Sequence, residues 1–175
     1  MSEGYDNIDV NGDGQVDDVM LVSHTDGSQS MAVDTDHDGL ADMVAHDTDG
    51  DGDAEHVQYD MDNDGKLETV VSDADNDGIA DTVASDTNAD GLVDTVARDT
   101  NQDGVIDTAV QDTDYDGTAD TVLVDTDHDG ATDTVGRDTD EDGDVDVVEI
   151  DTDDDGTVDA VVDTADTTST ATKPQ

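Results

Sequence analysis

Residues 34–46 read DTDHDGLADMVAH and residues 125–137 read DTDHDGATDTVGR. Each begins with a nine-residue run holding four acids, at its first, third, fifth and ninth places, and a glycine at its sixth. Like charges so close together repel. A chain that repeats the arrangement is built around something positive lying between them.

The arrangement recurs with a period of 13. Full units begin at Asp9, Asp34, Asp47, Asp60, Asp73, Asp86, Asp99, Asp112, Asp125, Asp138 and Asp151. Residues 22–33 form a degenerate unit one residue short, which keeps Asp26 and Gly27. This predicts a leader over 1–8, a single array of repeats over 9–163, and a disordered polar tail over 164–175. Positions 1, 3, 5 and 9 hold 41 of the 52 acids, position 6 is glycine in every full unit, and position 7 varies freely.

Calcium explains the pattern. Ca²⁺ takes 6–8 oxygen ligands and accepts carboxylates, amides and backbone carbonyls. Acids at 1, 3 and 5 of a loop converge, the glycine at 6 permits the sharp turn, position 7 offers its backbone carbonyl, and position 9 closes the shell. Asn replaces Asp only at position 3, where an amide oxygen still coordinates. The candidate ligands are Asp9, Asn11, Asp13 and Asp17; Asp34, Asp36, Asp38 and Asp42; Asp47, Asp49, Asp51 and Glu55; Asp60, Asp62, Asp64 and Glu68; Asp73, Asp75, Asp77 and Asp81; Asp86, Asn88, Asp90 and Asp94; Asp99, Asn101, Asp103 and Asp107; Asp112, Asp114, Asp116 and Asp120; Asp125, Asp127, Asp129 and Asp133; Asp138, Asp140, Asp142 and Asp146; and Asp151, Asp153, Asp155 and Asp159. That is about eleven Ca²⁺ sites. Zinc would call for Cys or His, and Mg²⁺ tends to keep its waters.

These residues resemble known families. DVNGDGQVDDVMLV, residues 9–22, looks like the DxNxDGxxD loop of dockerin modules and FG-GAP repeats. The tandem DTDHDGLAD units resemble thrombospondin type 3 repeats. The likeness covers roughly residues 9–162 and implies calcium ligation at positions 1, 3, 5, 7 and 9. The chain departs from a true EF-hand, which has a bidentate Glu at position 12; here only Glu149 fits. It departs from thrombospondin repeats in having no Cys and a strict short period.

Composition narrows the rest. The chain has 175 residues, 52 acids against 4 Lys plus Arg, and a net charge of −48. Val, Leu and Ile number 32, with no Phe, Trp or Cys. Such a chain has no bulky core or disulfide framework, and by composition belongs with disordered chains. No stretch approaches the length of a membrane span, and a phosphate backbone would be repelled, so no nucleic-acid partner is expected. No catalytic constellation is positioned, and no enzyme activity is expected. His37 and His128, at position 4, read as exposed and without a role.

Positions 9–13 read D-T-V-x-x, a pattern for a short strand. The fold class expected is all-β: a calcium-stabilised repeat, foremost a narrow β-solenoid with one coil per 13 residues and a ladder of position-11 valines inside. An antiparallel meander or an irregular calcium-stacked repeat is the alternative. Without metal the acids repel and little apolar burial opposes them, so binding energy becomes folding energy. The function expected is a rigid calcium-bound rod with a structural or adhesive role. A calcium buffer or mineral-binding acidic protein is the alternative. A third reading rests on Thr at positions 2 and 10, which a solenoid would stack into ladders like those of ice-binding solenoids; local hydrogen bonding beside Asp is the simpler role for these Thr. Sites without the position-12 Glu are expected to be weak, which suits the cell surface or exterior; the absence of a signal peptide points to the cytoplasm instead. The sequence names no protein or surface partner.

Overall fold

The computed structural model describes residues 2–4 and 8–164. The tail beyond Thr164 therefore lies outside the described residues. The chain divides into two compact units, residues 1–91 and 92–175. The first holds β1 (Ser2–Gly4), β2 (Asp18–Ser23), β3 (Gln29–Asp34), β4 (Met43–Asp47), β5 (His56–Tyr59), β6 (Thr69–Ser72) and β7 (Thr82–Ser85). The second holds β8 (Thr95–Arg98), β9 (Thr108–Gln111), β10 (Thr121–Val124), β11 (Thr134–Arg137), β12 (Val147–Ile150) and β13 (Ala160–Asp163). Among the described residues there is no helix, and so none long and apolar enough to cross a membrane. β1 comes from the stretch assigned to a leader and pairs with β2.

The fold is all-β. Within each unit every strand pairs antiparallel with its neighbour in sequence, which makes a meander. The solenoid expectation is corrected on this point. Parallel strands need a crossover of about a dozen residues or more to carry the chain back to its starting side. Here, from β3 onward, only eight or nine residues separate consecutive strands of a unit, enough to turn round and no more. Successive loops therefore leave opposite edges of the sheet, and loops two repeats apart share an edge.

Register also corrects the valine ladder. Position 11 pairs with position 12 of both neighbours: Val57 lies opposite Val71, and Val71 opposite Val83. Directly paired residues share a face. Val57, Val71 and Val83 thus line one face, while Gln58, Val70 and Ala84 line the other. Position 10 pairs with position 13, as Thr121 with Arg137, so the strand threonines form no ladder at strand spacing.

The sheet is one layer thick and its apolar residues are mostly half-exposed. Val33 is fully buried and Ala45 nearly so; they are the buried apolar side chains among the described residues. Loop residues cover part of each face: Leu40 and Ala41 share a groove with Val19 and Val33. Val145 lies close over Gly136, where an added Cβ would come within 3.2 Å of it. The other buried side chains are acids, with one threonine, Thr121.

Candidate metal centres

Each loop is shaped by two residues in the left-handed region. Position 6 is glycine with φ between +82° and +105° in all eleven loops. Position 4 is left-handed as well: glycine at Gly12 and Gly50, and non-glycine at His37, Asn63, Asn76, Ala89, Gln102, Tyr115, His128, Glu141 and Asp154, with φ of 53–65°. The position-4 requirement was not read from the sequence; its weak signal is the presence of Asn, His and Asp, which tolerate this region best.

Left-handed turns aim successive N–H groups into one concavity, which suits an anion. Position 1 supplies that anion. Its Oδ2 accepts the position-6 amide in every loop at 2.7–3.1 Å. Its Oδ1 accepts the position-4 amide in most, as in Asp99 from Gln102 at 2.6 Å and Asp112 from Tyr115 at 2.7 Å. Position 3 accepts from the position-5 amide, as Asp49 from Asp51 at 3.1 Å, and position 5 from the position-7 amide, as Asp51 from Asp53 at 3.0 Å.

Position 9 is tied to position 2. The Thr48 amide and hydroxyl both donate to Glu55 Oε2, at 2.6 and 2.7 Å. Thr100 does the same to Asp107 Oδ2, at 2.7 and 2.5 Å. Thr35, Thr113, Thr126, Thr139 and Thr152 donate to their own loop's ninth residue as well. The position-2 threonines thus serve as local hydrogen-bond donors. The bonds hold the carboxyls ionised: the Thr100 hydroxyl brings Asp107 down to about 2, and Asp42, Asp133, Asp146 and Asp159 are lowered by their threonines too.

The loops draw the predicted ligands together. Asp47, Asp49, Asp51 and Glu55 each place one carboxylate oxygen within 4.8 Å of the others, and so do Asp60, Asp62, Asp64 and Glu68. Asp34, Asp36 and Asp42 form a group, as do Asp73, Asp75 and Asp81, and Asp112, Asp114 and Asp120; five more groups exist among the described residues. Asp38, Asp77 and Asp116, at position 5, stay outside those three groups. In the two loops with Glu at position 9 the position-5 acid joins the group, and in these three loops with Asp it does not. Asp86, Asn88 and Asp90 belong to the first unit, with Asp86 held by the Gly91 amide, and Asp94 belongs to the second. The degenerate unit makes no such loop. It closes as a tight turn, His24 donating its amide to the Ser28 carbonyl at 2.9 Å, and Asp26 is engaged by Ser28.

Burial is concentrated on positions 1 and 9. Asp17 and Asp107 are 2% exposed and Glu55 9%, and Asp47, Asp60, Asp73, Asp99, Asp112, Asp125, Asp133 and Asp138 are also buried. Asp17 Oδ1, Glu55 Oε1 and both Glu68 oxygens are buried and meet no hydrogen-bond donor. A buried charge without a partner is costly, and the groups facing these are further carboxylates. A cation held by hard oxygen donors fits that set, and the chain has no cysteine to offer a softer metal.

Loops two repeats apart meet along one edge. The position-1 amide donates to the position-9 carbonyl of the earlier loop: Asp60 to Asp42, Asp73 to Glu55, Asp125 to Asp107, Asp138 to Asp120, each at 2.8–2.9 Å. The position-7 side chain of the earlier loop lies over the later glycine; an added Cβ would fall 2.4 Å from Leu40 at Gly65, 3.2 Å from Leu92 at Gly117 and 3.5 Å from Val105 at Gly130. The position-4 side chain reaches back: His37 Nε2 to the Val16 carbonyl at 3.0 Å, Asn63 to Asp36 at 3.4 Å, and His128 Nδ1 to Asp107 Oδ1 at 2.7 Å. His37 and His128 are exposed, yet each engages a neighbouring loop, which corrects the reading that gave them no role. Asp154, facing Asp133 across the same gap, is pushed up to about 6 by loss of hydration and by that carboxylate. Comparison with protein-family models, curated proteins and solved structures finds no match, so the reading of these loops rests on their own chemistry.

Proposed function

We propose that this chain is a non-enzymatic calcium-binding repeat protein. Ca²⁺ neutralises the clustered carboxylates and holds each meander in one conformation, which gives a stiff element suited to a structural or adhesive role. The observation that carries the reading is the burial of acids such as Asp17 and Glu55 with carboxylate oxygens that meet no donor. Oxygen-only ligand sets of mixed geometry favour Ca²⁺ over Mg²⁺, which demands near-ideal octahedral sites. A net charge of −48 and a sheet one layer thick leave the metal as the main stabilising agent. Such loops, all but the 138–146 loop without a twelfth-position Glu, suit affinities of about 10⁻⁴–10⁻³ M and hence calcium-rich surroundings.

Equilibrium dialysis of the metal-stripped chain against Ca²⁺, with excess Mg²⁺ in parallel, tests this. The reading expects close to one ion per full loop and retention of Ca²⁺ against Mg²⁺. Equal uptake of both ions, loose and without a plateau, would reduce the acids to a diffuse charged surface. Tight uptake with no change in chain order would favour a buffer over a structural element.

A further inference from the structure

Asn76 is the fourth residue of the 73–81 loop. Its amide nitrogen lies 3.2 Å from Asp49 Oδ2 and 3.1 Å from Asp51 Oδ2, both in the 47–55 loop two repeats earlier. Its own carbonyl oxygen, Oδ1, is buried and meets no donor. In the same cluster Glu55, nine-tenths buried, leaves Oε1 buried and without a donor while Thr48 holds Oε2. Asp47, Asp49, Asp51 and Glu55 already form a four-carboxylate group.

We infer that Asn76 is a fifth side-chain ligand of the 47–55 cation site, so that this site is completed by a loop two repeats further along the chain. The inference rests on the proposed cation binding and deepens it. The two ends of an amide differ by a half-turn, and the hydrogen-bond partners decide which faces inward. Facing bare carboxylates, the NH₂ end is attracted. Facing the same carboxylates gathered on a cation, the carbonyl end is. The backbone already fixes the reach: Asn76 sits at φ +59° with its amide on Asp73 Oδ1 at 2.7 Å, and the Asp73 amide donates to the Glu55 carbonyl at 2.9 Å. Position 4 therefore gives one loop's side chain to the ligand shell of another. The intervening 60–68 loop, on the opposite edge, takes no part.

The test is a Ca²⁺ titration of the metal-stripped full chain followed by ¹H–¹⁵N NMR at the Gly52, Gly65 and Gly78 amides, one reporter per loop. Asn76→Gly removes the side chain while keeping the left-handed backbone at ease, as Gly50 does at the same position. Asn76→Asp keeps an oxygen in place and has Asp154 as its precedent at φ 53°. The expected result is a rise of about tenfold in the Gly52 midpoint in Asn76→Gly, a Gly65 midpoint unchanged, and recovery of Gly52 in Asn76→Asp. If Gly52 and Gly65 keep their original midpoints in Asn76→Gly, Asn76 is no ligand and cation binding stands without it. If Gly52 weakens and Asn76→Asp fails to restore it, the effect is on the backbone and the ligand role is overturned. If no reporter in the unmodified chain responds to Ca²⁺, the cation reading itself falls, and this inference with it.

Discussion

The Asp125 amide donates to the Asp107 carbonyl at 2.8 Å, so the first acid of one loop lies beside the last acid of the loop two repeats before it. His128 closes the same gap from its ring nitrogen to Asp107 Oδ1. Within this second unit, loops of one parity therefore line one edge, and loops of the other parity belong to the opposite edge. Coupling is expected to follow parity rather than sequence adjacency. Asp103→Asn weakens the 99–107 site; the Ca²⁺ midpoint read at Gly130 should then shift several-fold, and that read at Gly117 should not. Per-residue NMR titration reads both. An equal shift at Gly117 would mean that the coupling runs through the strands.

Thr100 and Asp107 give a pH prediction. The Thr100 hydroxyl bond is the main reason Asp107 titrates at about 2 instead of 3.8. A carboxylate depressed in the folded state adds stability above its unfolded value, near pH 4, and loses it as pH falls through about 2. Thr100→Val should raise the Asp107 midpoint toward 3.8 and remove that acid-range contribution. Carboxylate ¹³C NMR against pH measures it. No movement would mean that His128 and the Thr100 backbone amide hold the group without the hydroxyl.

Gly50 and Gly12 share position 4 and a left-handed backbone, at φ +80° and +76°. A Cβ on Gly50 would lie 2.4 Å from the Gly27 carbonyl oxygen, while at Gly12 nothing lies within 4 Å. Ala89 shows that the loop tolerates alanine at this position. Gly12→Ala should cost about 1–2 kcal/mol for the backbone alone. Gly50→Ala should cost clearly more, because two backbone segments must separate. Chemical denaturation in saturating Ca²⁺ compares them, and equal costs would place the turn at residue 27 farther from the 47–55 loop than described.

Glu55→Gln should act in opposite directions on the two states. It removes a charge from a crowded cluster, so the metal-free chain gains order. It also removes a ligand charge, so Ca²⁺ affinity at the 47–55 loop falls by about tenfold. Circular dichroism without metal and the Gly52 midpoint with it separate the two effects. A variant that lost metal-free order would show that Glu55 stabilises the loop mainly through Thr48.

Much of this was legible in the residues. The acids at places 1, 3, 5 and 9 around an invariant glycine marked the loops, and the T-V-x-x tails marked the strands. Chain direction was written only in the shortness of the loop, which leaves no room for a parallel crossover; the left-handed turn at position 4 that reverses the chain leaves little trace, since His, Asn, Gln, Tyr, Glu, Asp, Ala and Gly all occur there. With direction unknown, Val57 and Val70 read as one ladder although they face opposite sides. The reach of Asn76 and His128 into other loops left no trace either, since contacts 21 to 27 residues apart need the edge rule that only the meander supplies. The role of Thr48 and Thr100 in fixing the ninth acid was visible only as a preference for Thr beside Asp.

The central claim is that metal, rather than apolar burial, holds the sheet together. Val33 and Ala45 are the buried apolar residues among those described, against a dozen buried acids. The most direct measurement is far-ultraviolet circular dichroism of the metal-stripped chain through a Ca²⁺ titration, repeated with Mg²⁺. The account predicts a disordered spectrum without metal and a cooperative rise in β signal with Ca²⁺, at concentrations where Mg²⁺ has little effect. A full β spectrum in the absence of metal, unchanged by Ca²⁺, would contradict it.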